Sequence, residues 1–249
     1  MSDRGSGARL NRQQWRKLIL LIPFILFQFP LFHSFMSPVL LVRAASLGVV
    51  NASMIIYAVL LVTSLFLGRA FCAWACPGAI IQEACTAMGA RRIKSPEKYW
   101  FKSVVATVLF STTAVAAIHA GGFHRVDWFF GDMGKSPAPL IMRFGAFVIL
   151  IPLSFLFGRW AFCRHACWIA PLMIAGTRLR ERLRLPGLRL TTDPTACTEC
   201  ATCEETCPMS LPVAQMVSVG RQSEECILCG NCADSCPAGA IRLHFSAPR

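Results

Sequence analysis

The stretch SLFLGRAFCAWACP at residues 64–77 returns at residues 154–168 as SFLFGRWAFCRHACW. Each copy closes an apolar stretch with Gly-Arg, an aromatic residue and two cysteines four positions apart. The recurrence predicts an internal repeat whose halves both end in a C-x3-C pair. The pairs are Cys72 with Cys76 and Cys163 with Cys167, and the second copy holds one extra residue, Trp160, ahead of its pair.

The apolar stretches before these pairs indicate a membrane domain. The chain of 249 residues is 55% hydrophobic and only 15% charged, which is too apolar for an ordinary soluble domain. Crossing a hydrocarbon core of about 30 Å takes about 20 helical residues. Four segments are long enough and carry at most one charge each: 18–42, 44–68, 103–122 and 136–158. We therefore predict a membrane all-α domain over 18–177, with four transmembrane helices arranged as two hairpins that form parallel repeats.

The distribution of basic residues predicts the orientation of these spans. Of the 25 Lys and Arg residues, 18 lie before the first segment, between the second and third, or between the fourth and residue 190. Basic residues accumulate in short cytoplasmic loops, so both termini are expected in the cytoplasm, with 1–17 as a basic N-terminus and the chain in the inner membrane. The same rule places Arg69 and Arg159 at the lipid head groups. The net charge of +12 is then a topological signal, and membrane lipid rather than nucleic acid is the expected partner.

The chain beyond residue 190 differs from the rest. It holds seven acidic residues against three basic ones, and eight of the 13 cysteines. We predict a separate domain over 191–249, joined by the basic linker RLRERLRLPGLRL at 178–190. Leu179 and Leu183 lie one helical turn apart in this linker, which suits either an amphipathic helix on anionic head groups or a solvated tether.

The cysteines of this last domain carry the most specific motif in the sequence. C-x2-C-x2-C-x3-C-P occurs twice, and this spacing wraps three thiolates around one 4Fe-4S cluster while the fourth reaches the other cluster. Disulfides conflict with the predicted cytoplasmic location, and zinc sites usually close with two separated pairs. The motif resembles the small α+β domain of bacterial two-cluster ferredoxins, which implies low-potential one-electron transfer. The expected ligands are Cys197, Cys200, Cys203 and Cys236 for cluster 1, and Cys226, Cys229, Cys232 and Cys207 for cluster 2.

The two C-x3-C pairs allow three interpretations. If each pair is helical, its cysteines project from one face, and a two-fold arrangement would bring four thiols together. The quartet could hold a third cluster or another metal ion, since it supplies four soft ligands. It could be a redox-active dithiol, because Arg69, Arg159, Arg164 and His165 would favour thiolate. It could also be four packed side chains, which is the role we expect for the unpaired Cys85.

The spans, the motifs GRAFCAWACP and GRWAFCRHAC and the two-cluster tail together resemble the NapH-like membrane ferredoxins. These are related to MauN and to the membrane portions of NosR and CcoG. The resemblance covers nearly the whole chain from about residue 15. That family carries C-x3-C-P after each hairpin; Pro77 follows Cys76, whereas Trp168 follows Cys167. The resemblance implies electron transfer at the cytoplasmic membrane, which for NapH is proposed to run from quinol toward a periplasmic reductase system.

Two functions follow as hypotheses. The first is a membrane iron–sulfur protein that passes single electrons between its cytoplasmic clusters and the quinone pool or a partner redox enzyme. The alternative is a maturation or reductase factor whose C-x3-C thiols reduce a metal ion or support assembly of another metalloenzyme, as the CcoG resemblance implies. The acidic tail suits a redox partner with a basic docking face. The sequence contains no nucleotide-binding loop that would indicate an enzyme acting alone. A quinol headgroup could bind polar residues in or beside the spans: Gln28, His33, Asn51, His119, His124 and Arg143.

Overall fold

The computed structural model describes residues 11–27, 36–92, 100–128, 130 and 138–247, with the backbone alone at 27 and 138–147. The helices found there are α1 (Arg12–Phe27), α2 (Pro38–Ser46), α3 (Ala52–Leu67), α4 (Ala70–Trp74), α5 (Pro77–Ala87), α6 (Trp100–His119), α7 (Ala138–Phe157), α8 (Ala161–His165), α9 (Ile169–Arg182), α10 (Thr202–Glu205), α11 (Val213–Val219) and α12 (Asn231–Asp234). The strands found there are β1 (Val49–Val50), β2 (Arg125–Val126), β3 (Gly187–Thr192) and β4 (Ile241–Ser246).

The apolar segment predicted at 44–68 is divided in the structure. Its first residues end α2, and Gly48 then adopts a φ of 65°, in the left-handed region that favours glycine. The next two residues form β1, which pairs in parallel with β2. The side chain of Asn51 accepts a hydrogen bond from Met54 N at 3.1 Å, so α3 begins at Ala52. The helix before the first C-x3-C pair therefore has 16 residues.

The helices pack in a two-fold pattern that matches the sequence repeat. In the first half, α1 packs on α4 and α5; in the second half, α6 packs on α8 and α9 in the same way. The helix before each C-x3-C pair crosses to the other half, so that α3 packs on α9 and α7 packs on α5. Because each of these two helices packs on the other half, the two C-x3-C segments are held at the centre of a single domain.

One helix in the described part of the chain, α6, is long and apolar enough to cross a membrane by its length and composition. Two apolar helical segments there are shorter, α3 and Val148–Phe157. Residues 28–35 of the first predicted span lie outside the described residues. The four-span architecture therefore stays a prediction.

Large apolar side chains are exposed on α1, α3, α6 and α7, the four longest helices that overlap the predicted spans. The exposed fraction reaches 59% for Ile22 on α1, 56% for Val62 on α3, 76% for Ile118 on α6 and 77% for Leu156 on α7. Soluble monomers seldom expose contiguous apolar surface on this scale. These faces are suited to contact with lipid or with another apolar surface.

The predicted linker at 178–190 is divided between two elements. Helix α9 continues to Arg182, and β3 begins at Gly187 and pairs antiparallel with β4. Gly187 meets the end of α3 so closely that a Cβ there would lie 2.7 Å from Phe66 O. The strand pair thus attaches the cysteine-rich domain directly to the helical domain. Contact of this segment with head groups stays a prediction.

Candidate functional site

The eight cysteines of the C-terminal domain line two cavities. Cys197, Cys200, Cys203 and Cys236 line one, together with Ala214, Val217 and Ile241. Cys207, Cys226, Cys229 and Cys232 line the other, together with Leu190, Met209 and Ile227. Each cavity takes three cysteines from one motif and the last cysteine of the other; their role as cluster ligands stays a prediction. We refer to them as the cluster 1 cavity and the cluster 2 cavity.

The geometry of these cavities suits a cubane better than a single ion. All 13 cysteines lie within the described residues, and each is a free thiol. Among those residues, no three Cys, His, Asp or Glu side chains converge on one point where a metal ion would sit. Each thiolate around a 4Fe-4S cluster binds a different iron, so the four sulfurs surround a cavity rather than a point.

The two cavities differ in their access to solvent. Cys200 of the cluster 1 cavity is exposed, and hydrogen bonds from the Thr202 side chain and backbone lower its pKa. Cys229 and Cys232 of the cluster 2 cavity are buried, and burial raises the pKa of both to about 12. The cluster 1 cavity therefore lies on the outer side of the domain, and the cluster 2 cavity lies toward the helices.

The C-x3-C pairs are not helical throughout, and the expectation that each projects from one helical face is wrong. Cys72 lies in α4, the helix breaks at Ala75, and Cys76 is the N-cap of α5. Cys163 lies in α8, and Cys167 falls between α8 and α9. The break comes from Pro77 in the first copy, where proline begins a helix readily but cannot continue one.

The break turns the second cysteine of each pair toward backbone N–H groups. Gly78 and Ala79 donate to Cys76, and Ile169 and Ala170 donate to Cys167. The four thiols lie close enough for their charges to act on one another. The structure thus brings together Cys72, Cys76, Cys163 and Cys167, which we call the C-x3-C quartet.

The surroundings of the quartet suit an anionic, thiolate-bound group. Cys72 and Cys163 are each 5% exposed and Cys167 is 8% exposed. Burial raises the pKa of Cys163 well above its usual value and that of Cys167 to about 11, so the thiolates need a cation or metal to form. Gln82 Nε2 donates to Cys163 Sγ at 2.9 Å. The buried guanidinium of Arg69 has two nitrogens, Nε and Nη2, without a hydrogen-bond partner within the described residues.

Arg69 also forms the centre of a buried ion-pair triad. Its Nη1 donates to Glu225 at 2.6 Å, and Lys102 Nζ donates to the same carboxylate at 2.5 Å. Burial by itself lowers the pKa of Arg69, but Cys72, Glu225 and Cys163 outweigh it and raise the pKa. Burial likewise raises the pKa of Glu225, but the two cations bring it below its usual value, so Glu225 is the anion of the triad. The prediction that Arg69 anchors the chain at lipid head groups is wrong, because its side chain is 1% exposed.

The cluster 2 cavity is docked on the helical domain by contacts to its loop carbonyls. Trp74 Nε1 donates to Leu228 O at 3.2 Å, and Leu228 Cδ1 lies 3.1 Å from a Cβ placed on Gly68. Gln13 and Arg12 of α1 donate to Cys229 O and Gly230 O. The cluster 2 cavity therefore lies against the first C-x3-C segment.

Most acids of the tail have basic partners within the chain. The pairs are Glu204 with Arg92, Glu224 with Arg178, Glu225 with Arg69 and Lys102, and Asp234 with Arg12. Arg159 donates to the carbonyls of Ala90 and Glu205, which places it in the same interface rather than at head groups. The acidic face that we assigned to a redox partner thus contacts basic side chains of this chain's own helical domain in large part.

The residues predicted for quinol do not form one site in the described part of the chain. Asn51 caps α3 and donates to Leu40 O at 3.2 Å. His124 packs on Gly48, where a Cβ would lie 2.1 Å from its Cε1, and His119 ends α6. Gln28 and His33 lie outside the described residues, as does the side chain of Arg143.

Sequence reasoning missed several residues around the quartet. Glu225 was counted only as a surface acid, and Lys102 only as a loop cation. Gln82, a polar residue in the apolar run PGAIIQEAC at 77–85, was a usable signal for a buried role. Nothing local in the sequence marks Met173, whose Sδ lies 3.7 Å from Cys72 Sγ.

These cavities and this quartet define a protein of the 4Fe-4S class. The same family model, described as a 4Fe-4S binding domain, matches residues 52–96 and again residues 139–186, and each match contains one C-x3-C pair. A second model, described as a 4Fe-4S dicluster domain, matches residues 196–241. The chain therefore carries 4Fe-4S ferredoxin-type domains in both its helical part and its tail.

Curated proteins of related sequence match about three quarters of this chain. "Putative electron transport protein YccM" of Escherichia coli (strain K12) is 27% identical over 215 residues, which cover 78% of this chain and 56% of that protein. This chain thus spans about half the length of YccM. "Uncharacterized protein MJ0750" and "Uncharacterized protein MJ0749" of Methanocaldococcus jannaschii are 27% and 24% identical, over 76% and 79% of this chain and 77% and 72% of their own lengths.

No solved structure matches the chain significantly. Together, the domains and the relatives support iron–sulfur electron transfer as the coarse function. The narrower resemblance to NapH-like ferredoxins rests on the motifs and stays a prediction.

Proposed function

We propose that this protein is an integral membrane iron–sulfur protein that passes single electrons between a soluble carrier and the membrane. Three sites would form the route: the cluster 1 cavity, the cluster 2 cavity and a third 4Fe-4S cluster held by the C-x3-C quartet. When bound, such clusters supply reversible one-electron redox chemistry. The observation that carries the proposal is the docking of the cluster 2 loop on the first C-x3-C segment, through Glu225 with Arg69 and Leu228 with Trp74.

The order of the sites follows from burial. Cys200 opens the cluster 1 cavity to solvent, and Asp193 and Glu199 are exposed on the same loop. A soluble partner would therefore meet cluster 1, while cluster 2 and the quartet exchange electrons inside the protein. The two exposed acids would favour a partner with basic residues at its own redox centre.

The exposed apolar faces of α1, α3, α6 and α7 support insertion in the cytoplasmic membrane, with the basic loops and the tail on the cytoplasmic side. The exchange partner in the membrane would be the quinone pool or a membrane redox enzyme. The maturation alternative requires thiols that a metal ion or partner can reach. Burial of Cys72, Cys163 and Cys167 counts against it.

Iron analysis of the full chain, purified anaerobically in detergent, tests the proposal. We expect about twelve irons and about twelve sulfides per chain, since each cubane holds four of each. The variant Cys72→Ser/Cys163→Ser should keep about eight, and Cys85→Ser, which changes a buried cysteine outside the quartet, should keep about twelve. About eight irons in the wild type would exclude the third cluster, and iron near zero would exclude the proposal as a whole.

A further inference from the structure

The charges between cluster 2 and the quartet are ordered along the proposed route. Glu225 immediately precedes Cys226 of cluster 2 in the sequence. Arg69 lies one turn before Cys72 of the quartet, and its carbonyl accepts a hydrogen bond from Cys72 N at 3.0 Å. The two side chains meet at 2.6 Å in a buried ion pair. The negative end of this pair thus belongs to the cluster 2 loop and the positive end to the quartet.

The two sites also differ in the balance of charge around them. Arg69 and Lys102 share a single carboxylate, so the buried triad carries one net positive charge. Arg69 and Lys102 are both buried, with side chains 1% and 2% exposed. Beside Cys229 of the cluster 2 cavity, Arg16 pairs with Glu83 at 2.9 Å, and the second cation near this carboxylate, Lys17 at 3.9 Å, is 53% exposed and therefore screened by solvent. The unbalanced positive charge is thus buried beside the quartet but exposed beside the cluster 2 cavity.

We propose that the Arg69–Glu225–Lys102 triad sets the direction of electron flow, by making the quartet a stronger electron acceptor than cluster 2. Positive charge stabilises the more negative, reduced state of a cluster and so raises its reduction potential. In the step concerned, one electron leaves the site of Cys207, Cys226, Cys229 and Cys232 and enters the site of the four C-x3-C thiols. One site is oxidised, the other is reduced, no bond forms or breaks, and no proton moves.

This inference rests on the proposed third cluster, and Arg69 acts in it as a positioning and tuning residue. Arg69→Gln is the variant of choice, because Glu225 keeps Lys102 as its partner at 2.5 Å and no carboxylate is left buried without a cation. Arg69→Lys keeps the charge. Arg178→Gln is the matched control, since Arg178 pairs with the neighbouring Glu224 but is 63% exposed.

The assay is a redox titration of the detergent-solubilised full chain, followed by electron paramagnetic resonance. Signals of the quartet are assigned as those absent from Cys72→Ser/Cys163→Ser. We expect Arg69→Gln to shift the electron distribution between cluster 2 and the quartet about tenfold toward cluster 2, equivalent to about 59 mV for a one-electron couple. Arg69→Lys should keep most of the wild-type difference in reduction potential between cluster 2 and the quartet, and Arg178→Gln should leave that difference unchanged.

Each remaining outcome decides the matter. A wild-type protein with only two clusters refutes the proposed function, and with it this inference. If the protein binds three clusters but Arg69→Gln leaves the difference in reduction potential between cluster 2 and the quartet unchanged, the inference alone is overturned. The same holds if Arg69→Lys loses as much of that difference as Arg69→Gln does. If Arg69→Gln binds no third cluster, Lys102→Met replaces it, because Arg69 and Glu225 remain paired; a smaller shift in the same direction supports the inference, and no shift overturns it.

Discussion

The close crossing of α3 and α9 predicts that Gly176→Ala will damage the quartet from a distance. A Cβ at Gly176 would lie 1.8 Å from Ser64 Oγ, 3.0 Å from Leu61 O and 3.1 Å from Ser64 Cβ. Overpacking of this kind costs about 1–3 kcal/mol, while alanine gains about 0.5–1 kcal/mol over glycine inside a helix. Because an approach of 1.8 Å is far inside contact distance, the overpacking cost should lie near its upper end, and we expect a net loss of about 2–2.5 kcal/mol.

The same displacement should loosen iron at the quartet. Helix α9 begins just after Cys167 and provides the N–H groups of Ile169 and Ala170 to its sulfur. Moving α9 away from α3 separates Cys167 from the thiols of the first pair. The assay is thermal bleaching of the iron–sulfur chromophore in detergent, with iron analysis before heating. Gly176→Ala should bleach at a lower temperature and lose up to about four irons.

Two further variants make this prediction refutable. Ser64→Ala removes the oxygen at 1.8 Å, so Ser64→Ala/Gly176→Ala should recover part of the loss, although Leu61 O remains at 3.0 Å. Gly78→Ala is the control, because its Cβ would meet only Cys76 Sγ at 3.9 Å, an ordinary contact. Equal stability of Gly176→Ala and the wild type, or no recovery in the double variant, would refute the reasoning.

Three further outcomes are expected. Gln82→Leu removes the donor to Cys163 Sγ and should lower the reduction potential of the quartet while those of the two tail clusters stay unchanged, as measured by redox titration. Cys85→Ser should keep its full iron content but lose about 1–3 kcal/mol of thermal stability, because it places a hydroxyl at a site that is 1% exposed. Trp74→Phe removes the donor to Leu228 O and should cost about 0.5–1.5 kcal/mol and speed hydrogen exchange at 226–230, whereas Trp100→Phe, at a residue 63% exposed, should do neither.

The cysteine groupings could be predicted because each motif encodes them locally. The three closely spaced cysteines Cys226, Cys229 and Cys232 can enclose one cavity with little choice of backbone path, and the fourth ligand follows from the short reach of Cys207. The internal repeat was equally visible, because GRAFCAWAC and GRWAFCRHAC share Gly-Arg, Ala-Phe-Cys and Ala-Cys in the same order. The two-fold packing of α3 on α9 and α7 on α5 follows from that repeat.

The long-range pairing of charges could not be predicted from the sequence. Glu225 and Lys102 are 123 positions apart, and neither has a local pattern that distinguishes it from a solvated surface residue. The positive-inside rule counted Arg69, Arg92 and Arg178 as loop cations. It could not show that the tail would bind them, because that depends on how the strand pair β3–β4 places the domain. Helix breaks at the C-x3-C pairs were marked by Pro77 in the first copy alone.

On the proposed route, the asymmetry between Arg69 and Arg159 would let a duplicated scaffold conduct electrons in one direction. Both arginines follow the glycine that ends the helix before a C-x3-C pair, so a symmetric dimer of halves would treat them alike. The single tail does not: Arg69 is buried against Glu225, whereas Arg159 donates to the carbonyls of Ala90 and Glu205. The repeat thus supplies four nearly equivalent thiols, and the tail makes their electrostatic surroundings unequal. A carboxylate placed against Arg159 in the Arg69→Gln protein would build the same charge pair in the second half. It should not restore the difference in reduction potential between cluster 2 and the quartet, because the cluster 2 cavity lies against the first half.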